Sequence, residues 1–245
     1  MAEGRRLSVV LPAYNEEANV GLAVDRATAV ARRLAQDYEV IVVDDGSVDA
    51  TADVVRRASE KDSRVRLIPH GRNRGYGEAL RTGFLAARMD LVFFTDADNQ
   101  FDLDELEAFL CWIDRVDVVA GFRTNRQDTI TRRALAKGWN YLVRVLFYVP
   151  VRDIDCAFKL FRRSVLDELH IESVGAMVNT ELMVKLGRSG KAVVELGVTH
   201  YPRTGGRARG AHPRVIARAV IELVRMYRRL DRVGAGHASP SEPAR

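Results

Sequence analysis

Four short strand-like runs, each closed by a polar turn that opens a helical pattern, leave this chain few architectures. Residues 7–11, 38–43, 64–68 and 91–95 read as strands, 91–95 most plainly because it is short, β-branched or aromatic, and uncharged. The run 38–43 is apolar but for Glu39, which suits a parallel sheet covered on both faces. Stretches with apolar residues three and four apart lie between the runs. Strand, turn and helix in alternation predict a doubly wound α/β domain, whose ligand crevice lies outside the carboxyl ends of the strands. At each of those ends stands a polar cluster: Asn15-Glu16, Asp44-Asp45, Gly75 to Gly77, and Asp96 with Asp98.

The cluster Asp96-Ala97-Asp98-Asn99-Gln100 is the most informative. Two carboxylates that close repel unless a cation sits between them, and oxygen ligands of this kind suit Mg²⁺ or Mn²⁺. Such ions usually enter a site with substrate phosphates, so the stretch predicts a metal-assisted site for a phosphorylated substrate. The plain alternative is a solvated acidic turn that caps the next helix. A Rossmann dehydrogenase fits poorly, because no Gly-x-Gly-x-x-Gly follows the first run.

The remaining pattern fills in the domain. Pro12 is expected to end the first strand. A helix should then run to about residue 35 with Glu16 and Glu17 in its first turn. Further helices are expected over about ten residues from Asp49 and Thr51, through about 88, over 101–112, over 132–147, and over 178–188, where Glu181 lies. Strands are expected at 117–121, 156–161 and 192–198. The polar segment 124–131 is a candidate mobile loop, and 151–155 a turn. Residues 1–212 form the expected domain, with 205–210 a basic link. Residues 213–233 form a basic amphipathic helix with Ile216, Val220, Leu223, Tyr227 and Leu230 on one arc and Arg214, Arg218, Arg225, Arg229 and Arg232 opposite. It either lies in a membrane interface or packs on the domain. Residues 234–245 have the composition of a disordered tail.

A chain of 245 residues can bury the core of one large α/β domain. Its net charge is +5, and 33 of its 38 basic residues are Arg. The planar guanidinium fork suits anionic ligands or lipid headgroups; a base-composition bias explains the same excess. Cys111 and Cys156 lack metal-type spacing and read as reduced thiols. No apolar run approaches ~18 residues, and the N-terminus lacks a signal-peptide core. The expectation is a cytoplasmic protein, with peripheral contact to the inner face of the cell membrane and a membrane-protein partner both left open, and no nucleic-acid partner.

Taken together, the four clusters in this order and spacing resemble glycosyltransferase family 2, inverting nucleotide-sugar transferases of the GT-A fold. Gly121-Phe122-Arg123, Arg132-Arg133, Asp153 with Cys156-Ala157-Phe158-Lys159, and Arg203-Thr204-Gly205-Gly206 are similar to the acceptor half of the dolichyl- and polyprenyl-phosphate sugar (mannose) synthases. The resemblance covers roughly residues 6–210. It implies that Pro12, Tyr14 and Glu16 line the nucleobase and ribose pocket, that Asp44 bonds the base edge with Asp45 beside it, and that Gly75 lets the backbone pass close to the nucleotide. It implies a donor-binding role for Asp96, Ala97 and Asp98, and a metal cluster of Asp96, Asp98 and Gln100. Arg123, Arg132 or Arg133, and Arg203 match cationic holders of the acceptor, and Asp153 a catalytic-site acid that orients Lys159, an Arg or the sugar. The implied reaction moves a sugar from GDP-mannose or a UDP-hexose to a polyprenyl phosphate. The second pKa of such a phosphate is about 6, so it needs no strong base. A saccharide hydroxyl acceptor would need one, and Glu181 is its candidate. A third reading is a non-catalytic nucleotide-sugar-binding subunit. Ala157 departs from the family's usual Gly, and the segment after Arg203 lacks the Ser often found there.

Overall fold

The computed structural model describes residues 4–124, 130–147, 149, 151–203 and 220–228, and of 130–136 the backbone alone. Strands β1 (Arg6–Ala13), β2 (Asp37–Asp44), β3 (Val65–Pro69) and β4 (Leu91–Thr95) alternate with helices α1 (Val20–Leu34), α2 (Thr51–Lys61) and α3 (Tyr76–Ala86). After a single 3₁₀ turn, Leu103–Glu105, come α4 (Leu106–Trp112), β5 (Val118–Arg123), α5 (Ile130–Phe147), β6 (Phe158–Arg162), α6 (Arg163–Glu168), α7 (Val178–Arg188) and β7 (Val193–Val198). One seven-stranded sheet results, in the order β3-β2-β1-β4-β6-β5-β7. Every residue of β1 and β2 except the first is buried, and so is all of β4. Strands covered on both faces account for runs so largely apolar, and the buried Ser8 hydroxyl that interrupts β1 donates to the buried Glu39 carboxylate that interrupts β2.

The expected α/β architecture is present, with one feature that the pattern did not carry. β6 runs antiparallel to both neighbours, β4 and β5, in a sheet that is otherwise parallel. Its Phe158 meets Phe93 at 4.7 Å, Phe109 at 4.8 Å and Phe101 at 5.6 Å between ring centres. Edge-on aromatic pairs of this kind add about 0.5–1.5 kcal/mol each beyond burial. β6 thereby binds the first four strands to the last part of the chain.

Several boundaries differ from expectation. Pro12 lies inside β1, opposite Val43. Pairing between β1 and β4 stops at Val10, so beyond it β1 is paired on one side only and tolerates a residue without an N–H. α1 starts at Val20 with no acidic residue in its first turn; Glu16 and Glu17 belong to the preceding loop. Phe101 is not helical but bridges His200, and α4 begins later. β5 continues to Arg123. Residues 220–228 are helical. The rest of the 213–233 helix, the 205–210 link and the 234–245 tail lie outside the described residues.

Candidate active site

The turns after β1 and β2 are joined by side-chain bonds to backbone N–H groups. Asn15, at φ 53°, accepts the Val48 N–H at 2.8 Å, and its own N–H reaches Ser47 Oγ at 2.8 Å. The Glu16 N–H donates to Thr51 Oγ1 at 2.8 Å. Asp44 is buried and accepts both the Ser47 hydroxyl and the Ser47 N–H. Asp45 is fully engaged below the surface: its carboxylate accepts the Arg74 and Gly75 N–H groups at 2.9 Å and bonds His70 Nδ1 at 2.8 Å. Asp45 therefore sets the loop that enters α3. Tyr14 is half-buried at the mouth of β1, and Pro12 is buried behind it.

β4 delivers Asp96 and Asp98 to the centre of this row. Tyr76, in the first turn of α3, donates its hydroxyl to Asp96 Oδ1 at 2.8 Å. Burial, and then the neighbouring Asp98 charge, push the Asp96 carboxyl up to about 7, against the Tyr76 bond and the positive charges of Arg123 and Lys159. Asp98 is also raised by burial, with Arg203 opposing. Ala97 is buried between them. Arg203 reaches the site because residues 100–101 pair with 200–201. The Tyr201 N–H donates to the Gln100 carbonyl at 2.7 Å, and Gln100 Nε2 donates to the Tyr201 carbonyl at 2.9 Å. The Arg203 guanidinium then pairs with Glu16 and lies 3.4 Å from Asp98 Oδ2.

Arg123 and Asp153 form a two-pronged pair, with both bonds at 2.7 Å and both side chains mostly buried. Burial works against the Arg123 charge, but the bonds to Asp153 outweigh it and hold the guanidinium above its ordinary value. Arg132 and Arg133 lie on α5; their side chains are outside the described set. Lys159 is completely buried, and burial lowers its pKa. Its ammonium donates to the Ile154 and Cys156 carbonyls and to Asn179 Oδ1 at 3.3 Å, below the face of Phe94.

Two expected roles meet a different geometry. Glu181 is buried, and its carboxylate accepts the Glu172 and Ser173 N–H groups and pairs with Lys185 at 2.6 Å. A carboxylate so occupied holds the 172–173 turn, which accounts for Glu181 without a base. That turn packs on α3. A Cβ on Gly75 would lie 2.3 Å from the Val174 carbonyl oxygen, and one on Gly77 2.1 Å from that of Ser173. The missing side chains thus make room for protein backbone, and Gly75 at φ 103° also occupies a conformation that favours glycine.

The donor set fits a divalent ion. Two carboxylates side by side, Asp98 buried and Asp96 half-buried, are both held above their usual range, chiefly by removal from water. Among the described residues no group of three or more His, Cys, Asp or Glu is arranged to hold a metal alone. Mg²⁺ and Mn²⁺ sites on phosphorylated substrates commonly have this form, with one or two carboxylates from protein and the rest from phosphate and water.

The sequence profile described as glycosyl transferase family 2 matches residues 8–170. The chain belongs to that family. It is 32% identical over 206 residues, 83% of its own length, to the undecaprenyl-phosphate 4-deoxy-4-formamido-L-arabinose transferase of Aeromonas hydrophila subsp. hydrophila. It is 29% identical over 217 residues to the protein of the same name from Photorhabdus laumondii subsp. laumondii. It spans 62% and 65% of those relatives' lengths. Among solved structures, mannosyl-3-phosphoglycerate synthase from Rubrobacter xylanophilus superposes with a TM-score of 0.73 at 22% identity, covering 99% of this chain and 79% of that one. Glucosyl-3-phosphoglycerate synthase from Mycobacterium tuberculosis, solved with Mn²⁺, UDP-glucose and phosphoglyceric acid, superposes at 0.70 with 22% identity, covering 91% of this chain and 80% of that one. At that identity the likeness shows the fold alone, and the fold is the GT-A fold expected.

Within this family 2 domain, sequence reasoning passed over Tyr76, Asn179 and His70. Tyr76 had a signal, since it stands between two glycines in a strand-end loop. No helix among the described residues is long and apolar enough to cross a membrane. Of the two readings weighed for it, the 220–228 helix shows packing on the domain. Leu223 and Met226 are buried on the domain, with Tyr227 5.9 Å from Phe147 of α5. Val220, Ile221 and Val224 stay exposed, as do Tyr141, Leu142 and Val145 on α5. Arg144, Arg225 and Arg228 are exposed beside them.

Proposed function

We propose that this family 2 protein is an inverting glycosyltransferase that moves a sugar from a nucleotide-sugar donor to a polyprenyl phosphate. The observation that carries the reading is the Asp96–Asp98 pair at the tip of β4, Asp98 buried and Asp96 half-buried, flanked by Arg123 and Arg203. The similarity to undecaprenyl-phosphate sugar transferases supports the acceptor class. Asp96 and Asp98 would hold Mg²⁺ or Mn²⁺, with Gln100 beside them. Bound there with the donor's diphosphate, the ion supplies Lewis-acid stabilisation of the leaving group. Asp44 and Tyr14 are assigned to the nucleoside, and Asp45 acts by fixing the 74–75 loop.

The acceptor phosphate is already anionic at neutral pH, so the protein must hold it rather than deprotonate it. One of its oxygens forms the new bond to the anomeric carbon as the bond to the nucleoside diphosphate breaks, with inversion. Arg203 and Arg123 supply charge on the acceptor side, together with Arg132 or Arg133, and Asp153 keeps the Arg123 fork aimed. The exposed apolar residues of α5 and the 220–228 helix, bordered by Arg, form a face suited to the surface of an anionic membrane, where such a lipid resides. GDP-mannose and UDP-hexoses are the donors to test first.

The test is a transfer assay with labelled GDP-mannose and UDP-glucose, with Mn²⁺ or Mg²⁺, offered a short polyprenyl phosphate, the matching polyprenol and soluble sugars. Product with the phosphate alone is expected. Product on a hydroxyl that disappears in Glu181→Gln would overturn the acceptor assignment. Metal-dependent nucleotide-sugar binding with no turnover on any acceptor would overturn catalysis.

A further inference from the structure

Arg203 joins two acids of the nucleotide half to a later segment of the chain. Its guanidinium pairs with Glu16, and its Nη1 lies 3.4 Å from Asp98 Oδ2. The other Asp98 oxygen accepts the Gln100 N–H at 3.2 Å. Both sides of the contact are anchored. Glu16 Oε2 accepts the Asn19 amide at 2.7 Å, and the Asn19 carbonyl accepts the amide of Asn99, next to Asp98, at 2.9 Å. Arg203 follows a segment bracketed against the same motif. The Thr199 N–H and hydroxyl donate to Glu105 at 2.8 and 2.7 Å, His200 packs edge-on against Phe101, and Tyr201 exchanges two bonds with Gln100. The side chains of Arg203, Glu16 and Asp98 are 20%, 13% and 11% exposed. Charges so enclosed are screened little by water and salt. A divalent ion shared by Asp96 and Asp98 adds two positive charges beside the guanidinium, and like charges that close repel. The Arg203 contact and the ion are therefore alternatives at Asp98. Glu16 is not among the carboxylates assigned to the ion, so its hold on Arg203 can persist.

We propose that Arg203 and the divalent ion take turns on Asp98, and that Glu16 retains the displaced guanidinium at the edge of the site, where it receives the acceptor phosphate. The inference rests on the transferase reading and adds an order to it. While Arg203 faces Asp98, its charge is matched within the protein. Once it lets go, the same fork is open to the phosphate oxygens of the acceptor. Metal and donor are therefore bound before the lipid phosphate. Glu16 is a positioning residue that acts through Arg203, in place of the ribose contact that the family resemblance implies.

The test measures Mn²⁺ affinity of the full chain by electron paramagnetic resonance, without nucleotide and with UDP or GDP, for the wild type, Arg203→Met, Glu16→Gln and the double variant. Arg203→Met should bind Mn²⁺ about tenfold more tightly, because a competing cation is gone. Glu16→Gln should bind it no more tightly than the wild type. Calorimetry with a short polyprenyl phosphate should show binding to the wild type that needs Mn²⁺ and nucleotide. That binding should weaken about tenfold in Glu16→Gln, and no further in the double variant than in Arg203→Met. A crystal structure of the wild type with Mn²⁺ and nucleotide should show Arg203 withdrawn from Asp98 and still paired with Glu16, whether or not the variants fold. Mn²⁺ affinity unchanged or weakened in Arg203→Met, or Arg203 still against Asp98 beside the bound ion, would overturn the exchange while wild-type transfer upholds the enzyme. Polyprenyl phosphate bound equally well without Mn²⁺ would overturn the order. A wild type that neither binds Mn²⁺ nor transfers sugar would overturn the function and the exchange with it.

Discussion

The two halves of the site manage charge in opposite ways. In the β1–β4 half, side-chain oxygens face backbone N–H groups: Asp45 holds 74–75, Asp44 holds 47, Asn15 holds 48 and the Thr51 hydroxyl holds 16. In the β5–β7 half, cations face oxygens: Arg123 grips Asp153, Lys159 grips two carbonyls, and Arg162 donates to the carbonyls of Ile113 and Val116. The first arrangement leaves surplus negative charge at Asp96 and Asp98, ready for a metal. The second builds its cations into the frame. Carboxylates thus gather at the metal side, while Arg123, which also faces the acceptor side, Lys159 and Arg162 are braced by the frame, and substitutions should separate the two halves.

The largest expected effect is on the anionic side. Asp98→Asn should lower kcat by about a thousandfold, equivalent to about 4 kcal/mol of transition-state stabilisation. Its denaturation midpoint should not fall, because the charge removed is one that burial disfavours. Full turnover would end the metal assignment. On the cationic side, Arg123→Met should cost about 3–5 kcal/mol of stability, since it removes the buried, two-pronged guanidinium partner of the Asp153 carboxylate. Urea denaturation measures it, and an unchanged midpoint would mean that the pair is not structural.

Where the halves touch, Gly77→Ala forces a Cβ against the Ser173 carbonyl. We expect a loss of about 1–3 kcal/mol and weaker nucleotide binding by calorimetry, because the shifted turn pushes on the loop held by Asp45. The smallest effect is in pH. A carboxyl raised in the folded state binds its proton more tightly there than in the unfolded chain, so it stabilises at low pH and the contribution is lost as pH rises. Metal-free protein should lose stability between about 4, where an unfolded Asp titrates, and about 7. Asp98→Asn should flatten that slope, because the Asp98 charge contributes to the shift.

What could be read from the residues follows the range of the interactions. Local periodicity located β4 and α7 to the residue, and the polar clusters marked the strand ends, because both signals lie within one element. The direction of β6 was hidden, since alternation along 156–161 is the same for either orientation. Glu181 looked like a base in a helix's first turn. Only the fold reveals that Glu172 and Ser173 turn back to consume its carboxylate. Gly75 announced a close approach but not the partner, which lies about a hundred residues away at Val174. Lys159 sits in an apolar run, and nothing near it in sequence names Asn179.

The placement of β6 bears on how such a protein can be taken apart. A fragment ending after α4 would keep every nucleotide-side loop, yet β4 would have an open edge and Phe93 would lose its ring partner. The two glycines at the head of α3 would face a gap where the 173–174 carbonyls had been. The nucleotide-side strands are thus no module to be excised or grafted alone; the later segment is the wall against which they are cast.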